Sequence, residues 1–264
     1  MSLRHTLPQW IKRVRYGRQG EPYRIDGHTL RYQPGSRPVR LAYLTSPNDN
    51  VRFDAIQIDL LRRGIRPGDT VLDVGAHHGQ YGILMAAFAG PTGTVVCFEP
   101  DPYARSGLER NVALNPDLRP PRVEALALSD AEGEATLFSR GGNSQSSLAR
   151  SAVEFGAAHE AEAVTVPTER LDGYIARTGL ATPSWVKIDA EGAEIRILRG
   201  ASDLLEGPTH IICELHPYAW PEFGTTFEEL ETIVADAGRR MVVLGTDRPV
   251  VAPAEYGSVL LVRS

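Results

Sequence analysis

Short apolar runs alternate with longer segments whose apolar residues recur every three or four positions, the pattern of strands followed by helices. Val71–Ala89 reads as a strand, a glycine-bearing turn and a helix starting near Gly79, and TVVCFE, ending at Glu99, reads as a second strand. PDPYARSGLERNVALN then predicts a helix, Val123–Leu128 a third strand, and WVKID, from Trp185, a fourth. The segment from Glu191 carries Ala193, Ile197 and Leu198 at helical spacing, and THIICELHP reads as a fifth strand. FEELETIVADAG puts Leu230, Ile233, Val234 and Ala237 on one helical face, and MVVLG and SVLLVRS read as the last two strands. This alternation predicts an α/β fold on a mostly parallel sheet.

Three segments stand outside the alternation. Leu3, Leu7, Trp10, Ile11 and Val14 recur at helical spacing among Arg4, Lys12, Arg13 and Arg15, which predicts an amphipathic basic helix. Its stripe suits packing on the rest of the chain or on a second subunit of a homodimer; a membrane surface or another partner is the alternative. YRIDGHTLRYQPG predicts a β-hairpin turning at Asp26-Gly27, and Asn50–Gly64 a helix entering the first strand through Pro67-Gly68-Asp69. Gly133–Leu171 is an insertion in which EATLF and EAVTV read as strands and RGGNSQSSLARS as a loop. The reading divides the chain into an extension, 1–49, and one domain, 50–264, that carries the insertion at about 133–171.

A length of 264 residues suits one substantial core and argues against a second full domain. The net charge of −5, from 28 basic and 33 acidic residues, gives no general attraction to nucleic acid or anionic membrane. No stretch approaches the roughly 20 apolar residues of a membrane-spanning helix. MSLRHTLPQ lacks the apolar centre of a signal peptide, so a cytoplasmic location is expected. Cys97 and Cys213 fall in apolar strand-like runs, which predicts two buried, reduced thiols and no disulfide.

Candidate chemistry gathers where strands end, because ligands of open α/β sheets bind outside those ends. Gly75 and Gly79 let backbone approach a ligand, and the helix behind them starts with unpaired amides. His77 stands where a dinucleotide fingerprint would place its second glycine, and Asp73 would repel a pyrophosphate. That aspartate can instead hold an ammonium, so the implied ligand is a nucleoside joined to an amino acid. Glu99, before Pro100, can accept both ribose hydroxyls, and Ser129-Asp130 is placed to border an adenine edge. DVGAHHG, CFEPDP and ALSD in this order point to S-adenosylmethionine. Lys187, Asp189 and Glu191 lie across the fourth strand-to-helix junction, and the fifth strand brings Glu214 and His216 to the same edge. As structure alone, Glu191 and Glu194 are first-turn acids at the positive end of a helix, which leaves Asp189 unexplained.

VLDVGAHHGQYG, VVCFEPDPYARSGLERNVALN, LALSD and above all VKIDAEGAEIRILRGA followed by ICELHP resemble the FkbM family of S-adenosylmethionine-dependent methyltransferases, over roughly Asp69 to Pro217. The resemblance implies a class I methyltransferase fold: a Rossmann-like, seven-stranded, mostly parallel sheet with helices on both faces and an antiparallel last strand. It implies a cofactor site around Asp73, Gly75, His77, Gly79, Glu99, Pro100, Ser129, Asp130 and Asp189. It also implies methyl transfer to a hydroxyl of a small molecule, often a sugar or natural product. The insertion would then lie beside the acceptor as a lid, with Asn143, Ser144 and Ser147 as hydrogen-bonding candidates, and a plain surface linker is the alternative. The pair His77-His78 departs from the small or amide residue of the family pattern, so facing the acceptor and capping the helix both stay open.

A neutral hydroxyl gains from a base that removes its proton as the new bond forms. His216 is the first candidate, because an ordinary imidazole with a pKa of roughly 6.5 is largely neutral at physiological pH. Asp189 or Glu214 is the alternative acceptor or the group that orients the ring, and Glu191 completes the catalytic set. Lys187, by family position, stabilises oxyanion charge or pairs with Glu214. Tyr218 and Trp220 either wall the acceptor or plug the next loop. Asp189, Glu191, Glu214 and His216 also form a donor set for a metal. The aspartate pair with asparagine of catechol-type enzymes is missing, however, so metal independence is expected.

Two other functions compete. An RNA ribose 2′-O-methyltransferase uses a Lys-Asp-Lys-Glu set that Lys187, Asp189 and Glu214 imitate. Against it stand the acidic total and the expected placing of Lys187 and Asp189 on alternate strand faces. A non-catalytic cofactor-binding scaffold fits the glycine turn but leaves the carboxylate cluster without a purpose.

Overall fold

The apolar runs are continuous because they form strands covered on both faces. The computed structural model describes residues 15–46, 48–139, 146–148, 162–252 and 256–264. Seven strands make the main sheet: β3 (Thr70–Val74), β4 (Thr94–Phe98), β5 (Arg122–Glu124), β9 (Trp185–Ile188), β10 (His210–Leu215), β11 (Arg239–Val243) and β12 (Gly257–Arg263). Their order is β11-β12-β10-β9-β3-β4-β5, all neighbours pairing in parallel except β12, which runs against both β10 and β11. This is the class I methyltransferase sheet, last strand reversed, that the resemblance implied. From β3 the chain builds outward to β5, then returns to β9 on the other side, so a crevice opens at the carboxyl ends of β3 and β9.

Successive strand residues feed two helical layers. Val71, Val95, Cys97, Trp185 and Ile212 pack with α1 (Asp49–Gly64), α2 (Gln80–Ala89) and α3 (Pro102–Ala113) through Leu61, Met85, Ala86 and Leu108. Leu72, Val74, Val96, Phe98, Val186 and Ile188 pack the other way. There they meet α4 (Leu171–Thr178), α5 (Glu194–Arg199), α6 (Ser202–Glu206), α7 (Trp220–Phe223) and α8 (Phe227–Asp236). Cys97 and Cys213 are buried and free, on β4 and β10 with β3 and β9 between them. Among the described residues no helix is long and apolar enough to cross a membrane.

Val123–Leu128 is not one strand. Arg122–Glu124 pairs with β4, whereas Ala127–Leu128 (β6) pairs with β8 (Glu162–Glu169) in a second sheet of order β6-β8-β7, with β7 spanning Gly133–Ser139. A straight strand cannot serve partners in two different sheets, so the chain bends between Glu124 and Ala127.

The hairpin forms as predicted, β1 (Glu21–Ile25) and β2 (His28–Tyr32) joined by Asp26 and Gly27, both at positive φ (44° and 81°). Tyr23, Ile25, Leu30 and Tyr32 pack against Ile58 of α1 and Ile83, Leu84 and Ala87 of α2. Asn115, just beyond α3, treats β2 as a neighbouring strand would: its Oδ1 accepts the Arg31 N–H at 2.8 Å and its Nδ2 donates to the Arg31 carbonyl at 2.8 Å. Asn111 accepts the Gln33 N–H at 2.7 Å. The stripe from Leu3 to Val14 lies outside the described residues. Asn115→Ala strands both Arg31 groups and is expected to lower stability by about 2 kcal/mol in urea unfolding; an unchanged midpoint would show that water replaces the amide at no cost.

Candidate active site

The crevice is a cavity of about 540 Å³. Its floor is the turn after β3. Gly75 has φ 74°, and a Cβ on it would lie 1.8 Å from the Asp189 carbonyl oxygen, so only glycine lets this turn touch the turn after β9. The Asp189 N–H completes the seam by donating to the Val74 carbonyl at 3.0 Å. His77, also at positive φ (48°), donates its N–H to Glu99 Oε2 at 2.6 Å, and the Asp101 N–H donates to Glu99 Oε1 at 2.9 Å. Burial raises Glu99 to about 7 despite these two donors.

Asp73 lies 1% exposed against the cavity, and neither of its carboxylate oxygens has a hydrogen-bond partner among the described residues. Burial raises it to about 6, with the Lys187 ammonium pulling the other way. A buried carboxylate without donors is costly unless a ligand supplies them. Asp73, Glu99 and an apolar wall of Leu126, Ala127, Leu128 and Leu137 therefore fit an ammonium, a hydroxylated ring and a flat base, the parts of a nucleoside joined to an amino acid.

The other end of the cavity is a charge cluster. Lys187, 2% exposed, donates to Asp189 Oδ2 at 3.1 Å and lies 4.7 Å over the Tyr81 ring. Burial disfavours its charge, but Asp189, Asp73 and Glu214 outweigh burial and raise it. Asp189 is held below the usual carboxylate range because Lys187 and His216 overcome desolvation. Burial raises Glu191 and Glu214 to about 7, helped by the Asp189 charge. The Glu191 backbone sits at φ 47°, and its carboxylate accepts the Tyr218 hydroxyl at 3.0 Å.

His216 departs from expectation. Its Nδ1 lies 2.8 Å from Glu194 Oε1, and its Nε2 lies 3.8 Å from Asp189 Oδ1 and 3.7 Å from Glu191 Oε2. Burial lowers its pKa, but Glu194, then Asp189 and Glu191, drive it up to about 10. An imidazole that holds its proton this tightly is less available as a base than the neutral ring expected from an ordinary pKa. Lys187 and Asp189 are corrected: residues two apart on a strand share a face, which is why they pair.

Of the sequence candidates, Asp73, Gly75, His77, Glu99, Pro100, Ser147, Lys187, Asp189, Glu191 and Glu214 line the cavity. Gly79, Ser129, Asp130, His216, Tyr218 and Trp220 do not. Asp130 is drawn away by Arg199 at 3.1 Å and Arg196 at 3.8 Å, and Ser129 donates to it at 3.2 Å. Gly79 serves as the N-cap of α2. Trp220 is buried behind the site, where its Nε1 donates to Glu194 Oε2 at 2.9 Å, and Tyr218 is half exposed at the rim. The Ser147 hydroxyl donates to the Glu191 carbonyl at 2.6 Å. Asn143 and Ser144 lie outside the described residues, as does most of the loop read as a lid.

Four residues of this region were missed by sequence reasoning. Glu194 has no exposure and accepts from Gly192 N–H (2.7 Å) as well as from Trp220 and His216; its signal was the second glutamate of AEGAE, read only as a first-turn acid. Tyr81 and Asp54 line the cavity and share a hydrogen bond of 3.1 Å, and Tyr256 donates to Glu214. Tyr81 follows Gly79 by two positions, but nothing in the sequence marks Asp54 or Tyr256.

The model of the methyltransferase FkbM domain matches residues 73–241. The 31-O-demethyl-FK506 methyltransferase FkbM of Streptomyces tacrolimicus is 32% identical over an aligned stretch of 171 residues, and the match covers 54% of this chain and 64% of that protein. Among solved structures, a methyltransferase FkbM from Methylobacillus flagellatus KT matches with a TM-score of 0.49 and 13% identity, over 84% of this chain and 56% of that one. Aeropyrum pernix fibrillarin with natively bound S-adenosyl-L-methionine matches with a TM-score of 0.45 and 14% identity, over 94% and 83%.

Glu99 generates a stability prediction. Its folded pKa, about 7, lies above the ordinary 4.5, so its stabilising protonation is complete below about pH 4.5 and lost as pH rises through 7. Glu99→Gln removes this dependence. Between pH 4.5 and 8 the variant should gain on the wild type by on the order of 3 kcal/mol in ligand-free thermal or urea unfolding. A difference that stays constant with pH would show an unshifted Glu99.

Proposed function

We propose that this chain, which belongs to the FkbM family of methyltransferases, moves a methyl group from S-adenosylmethionine to a hydroxyl of a small molecule, with sugars and natural products as the acceptor class. The carrying observation is Asp73: a buried carboxylate with no side-chain donor among the described residues, on the wall of a cavity whose other end holds Asp189, Glu191 and Glu214. The printed name of the Streptomyces relative, a 31-O-demethyl compound's methyltransferase, supports oxygen as the methylated atom.

When bound, the cofactor supplies a sulfonium-activated methyl group. In this reading Asp73 holds the ammonium, Glu99 takes the ribose hydroxyls, and Leu126, Leu128 and Leu137 cover the base. The seam between Gly75 and Asp189 would hold the cofactor and acceptor ends of the cavity in a fixed relation, which positioning catalysis requires. Glu191 accepts the proton of the acceptor hydroxyl. Its carboxylate lines the cavity, Tyr218 orients it, and its left-handed backbone is the kind of local strain that persists where surrounding structure demands it. Lys187 and His216 hold the cluster's negative charge in place.

Calorimetry with S-adenosylhomocysteine, beside nicotinamide dinucleotide, tests the cofactor. Micromolar binding of the first alone is expected, weakened at least tenfold in Asp73→Ala; no binding to folded wild-type protein overturns the reading. With labelled methyl donor and a panel of hydroxylated acceptors, Glu191→Gln should lower kcat by about 100-fold or more at unchanged S-adenosylhomocysteine affinity. Turnover equal to wild type would remove Glu191 as the base.

A further inference from the structure

We propose that Asp189, Glu214 and His216 form a binding site for one divalent cation at the acceptor end of the cavity. One donor atom from each of the three lies within 4.8 Å of the others. Donors on a cation with bonds of about 2.1 Å are about 3.0 Å apart when adjacent and about 4.2 Å apart when opposite, so capture needs the three side chains to close in by about an ångström.

His216 supplies the observation that separates this site from a mere group of acids. Its side chain is 2% exposed, and Glu194, itself without exposure, holds Nδ1 at 2.8 Å. Glu194 cannot swing away, because Gly192 N–H and Trp220 Nε1 hold both of its oxygens at 2.7 and 2.9 Å. A carboxylate that fixes one ring nitrogen is the arrangement that presents the other to a metal. That other nitrogen, Nε2, is aimed between Asp189 Oδ1 at 3.8 Å and Glu191 Oε2 at 3.7 Å, and makes no hydrogen bond among the described residues. The gap is too long for a hydrogen bond and open enough for an ion.

The charges and donors fit. Asp189 keeps Oδ2 on Lys187 and turns Oδ1 toward the gap, so one carboxylate serves both cations. Asp189, Glu191 and Glu194 lie against the His216 ring, and an ion bound at Nε2 takes the place of the positive charge that a proton there would carry. A proton on Nε2 occupies the same place, so proton and metal are rivals for it. One imidazole with carboxylates suits a first-row ion such as Mn²⁺ better than Ca²⁺. Asp189 and Glu214 line the cavity, so an ion held by them would be reached from it, beside Glu191. The expectation of metal independence rested on a missing aspartate-asparagine set; here a histidine backed by Glu194 takes its place.

The role beside the acceptor rests on the methyltransferase reading, but binding is tested without cofactor or acceptor, so the two can fail separately. Mn²⁺ is titrated into metal-stripped protein and followed by electron spin resonance of the free ion and by calorimetry. One equivalent bound in the micromolar range is expected, at least tenfold weaker in Glu214→Gln and Asp189→Asn. Glu231→Gln, an exposed acid on α8, should bind like wild type. Thermal denaturation checks that each variant folds; independently of them, spin-echo modulation of the wild-type complex should show nitrogen coupling from one imidazole. Millimolar or weaker binding, affinity unchanged in both folded variants, or bound Mn²⁺ without nitrogen coupling overturns the site.

Discussion

An ammonium group buried in the middle of a sheet demands negative charge around it, because an unpaired ion in the interior costs several kcal/mol. Lys187 makes that demand from β9, and β3, β9 and β10 answer with Asp73, Asp189 and Glu214. Tyr81 closes the remaining side with its ring. Asp73 stands opposite Lys187 in the strand register, so the pairing that neutralises the lysine also fixes the carboxylates at the head of the cavity. A slip of one residue would send Lys187 into the apolar layer with Val186 and Ile188.

Two buried carboxylates of this region stand in opposite conditions. Glu194 has donors on both oxygens, from backbone, indole and imidazole, and binds α5, α7 and the end of β10 into one unit. Asp73 has none. The first condition belongs to architecture, since every polar atom is satisfied by the fold itself. The second is a debt the fold leaves open, and such groups mark where a ligand completes the interior.

Period and punctuation made most of the scaffold legible. The strands were visible as apolar runs, the turn after β3 through Gly75, and the carboxyl-edge positions of Asp73, Glu99, Lys187, Asp189 and Glu214 through their place at the ends of those runs. Interactions between distant segments were not legible. The ion pairs of Asp130 with Arg196 and Arg199 span more than sixty positions, and Tyr256 reaches Glu214 from the approach to β12. Asp54 and Tyr81 meet only because α1 and α2 pack side by side. The bend after Glu124 depends on a strand, β8, that comes some forty residues later. The surroundings of His216 were hidden for the same reason: Glu194 and Asp189, which act on its ring, belong to another segment.

The Gly75 contact with Asp189 has a mechanical meaning. The turns after β3 and β9 are locked to each other by van der Waals exclusion and a hydrogen bond, so the two halves of the cavity form one rigid body with no joint between them. Adaptation to differently shaped molecules cannot come from sliding these halves apart. It falls to parts outside the main sheet that also line the cavity, among them residues 146–148 and Tyr256. The molecule is thus divided like a tool with a fixed die and separate jaws: the sheet casts the floor of the cavity, and the segments outside it make the remaining walls.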